Sequence, residues 1–167
     1  MKLIAKSFYE ARSNMHPYDN HQYRYFYFRR FQAPSSKPLP VSELDKIISG
    51  GLNSFSWIKK RMKKMKLLSM EYKRKLAKAG EWCEQNKDVY PTNWLVSVED
   101  IEKPDLTHIV IKRCALCALC QSEGVPFFTP SLCATDYLVM SFADAKLERP
   151  TILSNGGSCC DNYITRN

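Results

Sequence analysis

The sequence contains no apolar run close to the roughly 20 residues that a membrane-spanning helix needs. Its N-terminus also lacks the apolar core of a secretory signal, because Lys6, Glu10 and Arg12 interrupt it. The seven cysteines are an odd number, and two of them are adjacent, which does not suit a secreted disulfide framework. These absences predict a cytoplasmic protein with reduced thiols and no membrane span.

Acidic residues are in deficit, because 17 Asp and Glu stand against 25 Lys and Arg, for a formal charge of +8. Six members of this basic excess fall in one short stretch: Lys59, Lys60, Arg61, Lys63, Lys64 and Lys66. A basic helix can lie on a membrane or on a phosphate backbone. The favoured interpretation is a solvated helix face opposite a core stripe.

Residues 1–40 show no clear helix or strand pattern, apart from an aromatic and arginine-rich stretch at His21–Arg30. Such a stretch can stack on single-stranded bases, but no recognisable RNA-binding signature accompanies it. We therefore expect no nucleic-acid partner. We interpret residues 1–40 as an aromatic and basic arm, ending in a proline-rich linker, that packs on the domain or on a partner subunit. The sequence leaves a homo-oligomer open.

The helices of residues 41–167 are predicted from apolar spacing and from glycines. A first helix is expected to begin with Ser42 as its N-cap and to break at Gly50-Gly51. A longer helix is expected from about Asn53 to Ala79, ended by Gly80, with apolar residues every three or four positions.

The strands are predicted in two pairs, flanking two further helices. The first pair is 94–98 and 107–111, and the helices span 114–123 and 131–145. The second pair flanks Asn155-Gly156-Gly157, whose residues tolerate positive φ in a hairpin turn. A single α+β domain follows, with N-terminal helices and then a mostly antiparallel four-stranded sheet in β-β-α-α-β-β order.

Six of the seven cysteines lie between Cys114 and Asp161, which makes this segment the candidate for chemistry. Cys114, Cys117 and Cys120 have the spacing of three iron–sulfur ligands, but no fourth cysteine before a proline follows. Paired zinc knuckles are also absent. We expect no cofactor, with a metal ion or an iron–sulfur cluster as the weaker alternative. At least Cys117 or Cys120 is expected to be a core residue.

Cys133 and Asp136 stand three residues apart, which places a thiol and a carboxylate on the same face of a helix. The carboxylate alone would raise the pKa of the thiol, so a nucleophilic thiol requires a cationic neighbour. The candidates for that neighbour are His108, Lys112 and Arg113.

Cys160 and Asp161 follow the predicted hairpin turn. In a regular strand their side chains point to opposite faces, so both face one pocket only if the turn or a bulge redirects one of them. Otherwise Asp161 could accept hydrogen bonds from backbone amides of the turn.

In their order, these motifs resemble the L-2-amino-thiazoline-4-carboxylic acid hydrolase family over residues 107–165. The resemblance rests on Cys114 with Gly124, Cys133-Ala134-Thr135-Asp136, and Gly156 or Gly157 with Cys160-Asp161. Asn162 stands where the family usually has Phe.

The resemblance implies a small-molecule hydrolase that opens a cyclic amidine such as 2-aminothiazoline-4-carboxylate. On this basis Cys133 is assigned as nucleophile or polar anchor and Asp136 as amidinium partner or base. Cys160 and Asp161 would form the second wall, Cys114 would be a supporting thiol, and Arg113 or Lys112 would bind a carboxylate. The alternative is a non-enzymatic module that binds a ligand or metal, or senses redox state, through the same cysteines.

Overall fold

The structure is a computed structural model that describes residues 40–167. The expectations for residues 1–39, including the aromatic arm and most of the proline-rich linker, lie outside the described residues. The elements are α1 (Val41–Ser54), α2 (Ser56–Lys63), α3 (Met70–Gln85), β1 (Leu95–Glu99), β2 (Thr107–Arg113), α4 (Ala115–Ser122), α5 (Thr129–Ser141), β3 (Ala145–Glu148) and β4 (Cys160–Arg166). Short 3₁₀ turns lie at Pro126–Phe128 and Leu153–Asn155.

The four strands form one antiparallel sheet in the order β1-β2-β4-β3. The predicted α+β class and the β-β-α-α-β-β order are therefore confirmed. A buried cluster of Leu67, Ala145, Leu147 and Ile164 lies at the centre of the core. Among the helices of residues 40–167, none combines the length and the apolarity required to cross a bilayer.

The predicted helix break at Gly50-Gly51 is wrong, since α1 continues to Ser54. Glycine in a helix costs about 1 kcal/mol relative to alanine, which the rest of a helix can offset. The predicted cap at Ser42 is also wrong, because Pro40 occupies the N-cap position without a side-chain hydrogen bond.

The predicted helix from 53 to 79 is instead two helices, α2 and α3, separated by residues 64–69. Tertiary contacts hold the break: Leu67 is buried, and its carbonyl accepts a hydrogen bond of 2.8 Å from Thr107 Oγ1. Ser69 then caps α3 by accepting from the backbone N–H of Tyr72 at 3.3 Å.

Gly80 does not end a helix, because α3 runs through it to Gln85. A Cβ at this position would clash with the carbonyl oxygen of Val96 in β1. Glycine is therefore needed here for the close approach of α3 to the sheet.

The last helix and hairpin also differ in detail from the prediction. Helix α5 begins at Thr129, and Ser131 is buried inside it instead of capping it. The β3–β4 pair extends only from Glu148↔Tyr163 to Ala145↔Arg166, so residues 149–159 form a long connection. Gly156 has a φ of +81°, as expected for this turn.

Candidate functional site

Four thiols from three elements lie near one another at one end of the sheet. Cys114 is the N-cap residue of α4, Cys117 lies in its first turn, Cys133 lies on α5, and Cys160 begins β4. Burial is the main cause that raises the pKa of Cys117 to about 12. The hydrogen-bonded Cys114 and, to a smaller extent, Cys133 and Cys160 add to the shift. These thiols are therefore grouped, and the thiol of Cys117 is protonated at neutral pH.

Cys133 and Cys160 each have a partner that opposes the effect of burial. Burial raises the pKa of Cys133, whereas a hydrogen bond with Ser154 and the positive charge of Arg149 lower it. Burial also raises the pKa of Cys160, although its Sγ accepts from the backbone N–H of Leu153 at 3.3 Å. In both cases the upward shift prevails, so neither residue is a thiolate in the resting site.

Arg149, in the β3–β4 connection, joins the thiol-bearing helix to the sheet. Its Nη2 donates to Asp136 Oδ2 at 2.6 Å, and its Nε donates to Asn162 Oδ1 at 2.5 Å. Its Nη1 also donates to the backbone carbonyl of Cys133 at 3.4 Å. The guanidinium is therefore a cation beside Cys133 and Asp136, in the place where His108, Lys112 and Arg113 were the expected candidates.

Asn162 is the buried anchor of this arginine. It is 4% exposed, and its Nδ2 donates to the carbonyls of Ile109 and Cys160, each at 3.0 Å. All of these hydrogen bonds lie within the sheet, so Asn162 fixes Arg149 to β2 and β4.

Asp161 does not share the face of Cys160. Strand β4 pairs with β2 in continuous register, with Ile111↔Cys160 and Val110↔Asp161, so no bulge redirects either side chain. The expected second wall formed by both residues is not present, and Cys160 alone lies with Cys133.

A second polar group, on the opposite face of the sheet, contains Asp161 and His108. His108 Nε2 lies 2.6 Å from Asp161 Oδ1, and Nδ1 lies 3.4 Å from Asp100 Oδ2. Tyr163 stacks on the imidazole with ring centroids 4.2 Å apart and donates its hydroxyl to Asp161 at 3.0 Å. His108 is therefore engaged away from the thiols.

Arg113 and Lys112 also point away from the thiols. Arg113 donates from Nε to the carbonyl of Asn93 at 2.8 Å and from Nη2 to the carbonyl of Tyr90 at 3.4 Å. Lys112 is exposed, and its charge contributes to lowering the pKa of Glu84 on α3, where the hydrogen bond from Lys87 is the main cause. Both residues directly precede Cys114 in sequence, but their side chains interact with Tyr90, Asn93 and Glu84 instead.

No group of three or more His, Cys, Asp and Glu side chains within residues 40–167 is arranged to hold a metal ion. Cys120 has no exposed surface and is the core thiol that the spacing allowed. The expectation that no cofactor is needed stays a prediction.

A comparison with known protein families places the chain in a family. A family described as L-2-amino-thiazoline-4-carboxylic acid hydrolase matches residues 36–163, more than three quarters of the chain. The chain belongs to this family. No curated protein and no solved structure matches it.

The three motifs that suggested the L-2-amino-thiazoline-4-carboxylic acid hydrolase family lie within the matched segment. Sequence reasoning missed two residues of the site, Arg149 and Asn162. Arg149 gave no signal, because it lies in a non-periodic connection. Asn162 gave a partial one, since a polar residue in a strand where the family usually has Phe requires a buried partner.

Proposed function

We propose that the protein is a hydrolase that opens a small cyclic amidine carrying a carboxylate, such as 2-aminothiazoline-4-carboxylate. The observation that carries the proposal is the Asp136–Arg149 ion pair beside Cys133, because it offers one anionic and one cationic group at a single place. Family membership supports the reaction class.

The substrate presents the complementary pair of charges, an amidinium and a carboxylate. When the substrate binds, its carboxylate forms an ion pair with the guanidinium of Arg149, and Asp136 forms an ion pair with the amidinium. The internal ion pair is thus replaced by two pairs with the substrate. In this assignment Arg149 replaces Lys112 and Arg113 as the carboxylate-binding residue.

The reaction begins at the ring carbon bonded to two nitrogens and the sulfur. Asp136, released from Arg149, takes a proton from a water molecule that adds to this carbon. The carbon–sulfur bond then breaks as Asp136 passes the proton it took from water to the sulfur, which leaves as a thiol. The hydroxyl on the former amidine carbon loses its proton to solvent, and this carbon becomes a carbamoyl group. Cys133, a neutral thiol because burial raises its pKa, donates a hydrogen bond as a polar anchor.

The test is product formation from L-2-amino-thiazoline-4-carboxylate, followed by mass spectrometry, with the metal content read on the same sample. Asp136→Asn should lower turnover at least about a hundredfold, as expected for a general base. Asp105→Asn, an exposed carboxylate on the β1–β2 connection, is the matched control and should leave turnover unchanged. Unchanged turnover in Asp136→Asn would refute the site assignment.

Cys133→Ala separates the two roles of the thiol. If Cys133 only donates a hydrogen bond, turnover in Cys133→Ala should be reduced but not lost. The wild-type protein should then form no covalent adduct with the substrate. A trapped adduct on Cys133, together with complete loss of turnover in Cys133→Ala, would assign the thiol as nucleophile instead.

The grouping of four thiols favours a second candidate, a non-enzymatic module that binds a ligand or senses redox state. This candidate predicts no turnover of any cyclic amidine. It also predicts that ligand or oxidant protects Cys133 and Cys160 from alkylation.

A further inference from the structure

A basic and aromatic segment, residues 55–66, lies outside the candidate site. Between Asp45 and Glu71 the sequence has no acidic residue and seven Lys and Arg. Within residues 40–167, no salt bridge engages the basic residues at positions 59–66. Their positive charge is therefore not neutralised by ion pairs within that part of the chain.

The same segment carries exposed apolar side chains. Trp57 is 59% exposed and Phe55 44% exposed, and their rings pack on each other with centroids 6.3 Å apart. Ile47 on α1 is 57% exposed. Together with Ile47, these rings make up half of the six large hydrophobic side chains that are exposed within residues 40–167.

Helix α2 arranges these groups on one side. Trp57, Lys60, Arg61 and Lys64 follow one another at spacings of three, one and three residues, which places them on a common face. All four are exposed, whereas Ile58, Met62 and Met65, on the other side, are half-buried. An exposed tryptophan therefore lies among three cations.

We propose that the basic and aromatic segment binds the surface of membranes that contain anionic lipids, with Trp57 and Phe55 inserted at the headgroup level. The negative surface potential of such membranes attracts lysine side chains. Tryptophan is favoured at the interface between lipid and water. Helices that lie on membranes combine these two features. The protein would bind peripherally, without a span.

Two observations favour lipid over nucleic acid as the partner. Five of the six basic residues in segment 55–66 are lysines, whereas arginine is the usual residue for nucleic-acid phosphates. Phe55 and Trp57 pack on each other at an interplanar angle of 54°, as an apolar wedge and not as parallel platforms for successive bases.

The experiment is flotation of the full-length protein with vesicles of phosphatidylcholine alone or with 30% phosphatidylglycerol, at low and high salt. We expect binding to the anionic vesicles only, and its loss at high salt. Lys60→Glu/Arg61→Glu/Lys64→Glu should weaken binding at least about a hundredfold, because each cation near the surface contributes and each is reversed. Phe55→Ala/Trp57→Ala should weaken it about tenfold and abolish the tryptophan fluorescence change on binding.

Matched controls distinguish binding through this segment from binding through the net positive charge of the whole protein. Arg74→Glu/Lys78→Glu/Arg166→Glu makes the same change in net charge at exposed positions elsewhere, and Phe127→Ala removes an exposed ring elsewhere. Both controls should bind as the wild type does. Equal loss in the charge control, absence of vesicle binding, or binding of a single-stranded oligonucleotide without vesicle binding would each overturn the proposal.

Discussion

The Asp136 carboxylate and the Arg149 guanidinium form a 2.6 Å ion pair whose partners differ in exposure, 51% against 4% for the side chains. Arg149 is also held by Asn162 and by the Cys133 carbonyl, so it is the fixed member of the pair. Asp136 is exposed and can leave the pair when a ligand carboxylate arrives. A fixed cation with a displaceable anion is suited to a zwitterionic substrate.

Replacing Arg149 by Gln should impair the use of substrates that carry a carboxylate. Loss of one partner of a buried charge pair costs about 2–5 kcal/mol, so kcat/KM for 2-aminothiazoline-4-carboxylate should fall at least about 30-fold. For 2-aminothiazoline, which has no carboxylate, kcat/KM should change less than about threefold. Steady-state kinetics on the two substrates measures the difference.

Arg149→Lys is the control for this comparison, because it keeps the charge but loses the planar fork that reaches both Asn162 and Asp136. It should retain part of the preference for the carboxylate. An equal loss on both substrates in Arg149→Gln would instead assign Arg149 to structure alone.

Replacing Asn162 by Leu should destabilise the protein. The change removes the acceptor of Arg149 Nε and the donors to the carbonyls of Ile109 and Cys160. Buried groups left unpaired cost about 1–3 kcal/mol, and urea unfolding measures this loss in the free energy of unfolding. Asn155→Ala, at an exposed asparagine, should change it by less than about 0.5 kcal/mol. Equal stability of the two variants would contradict the role of Asn162.

The strands and their order could be predicted, because local alternation and turn residues carry that information. The helix boundaries could not be predicted, because distant contacts decide them. The break between α2 and α3 depends on the Thr107–Leu67 hydrogen bond, and the continuation of α3 through Gly80 depends on its contact with Val96. No pattern within residues 53–85 encodes either contact.

One part of the candidate site could be predicted from the sequence and another could not, because only the first depends on local spacing. The spacing of Cys133 and Asp136 fixes their common helix face, whereas the cation beside them comes from a connection whose path is irregular. Arg113 was a candidate because it directly precedes Cys114 in sequence, but its guanidinium binds the carbonyls of Asn93 and Tyr90. Proximity along the chain does not determine where a long side chain points.

Gly80→Ala and Gly50→Ala should have opposite effects on stability, although both glycines lie inside helices. At Gly80 the new methyl group would meet the Val96 carbonyl, and relief of this clash should cost about 1–3 kcal/mol. At Gly50 nothing lies within 4 Å, so alanine should stabilise α1 by about 0.5–1 kcal/mol. Thermal or urea unfolding of the two variants provides the measurement. Destabilisation by Gly50→Ala would show that α1 does not continue through this position.

The rate of alkylation of Cys117 should still rise with pH in a range where the alkylation of an ordinary thiol has reached its plateau. Burial, followed by the neighbouring Cys114, raises its pKa from 9.0 to about 12, so the native thiolate fraction near pH 8 is about a thousandfold below that of the unfolded chain. Labelling by iodoacetamide, followed on the Cys117 peptide by mass spectrometry, should therefore still rise about tenfold per pH unit between pH 9 and 11. In urea the same peptide should reach its plateau near pH 10.

The same shift fixes the sign of the effect on stability. Below pH 9 the thiol of Cys117 is protonated in both the folded and the unfolded chain. Its contribution to the free energy of unfolding is therefore fully present there. Between pH 9 and 12 only the unfolded chain releases the proton, so the free energy of unfolding should fall with rising pH. Cys117→Ala should make this fall less steep, although the raised pKa values of Cys133 and Cys160 keep part of it. An identical alkaline slope in Cys117→Ala would mean that Cys117 is not held among the other thiols in solution.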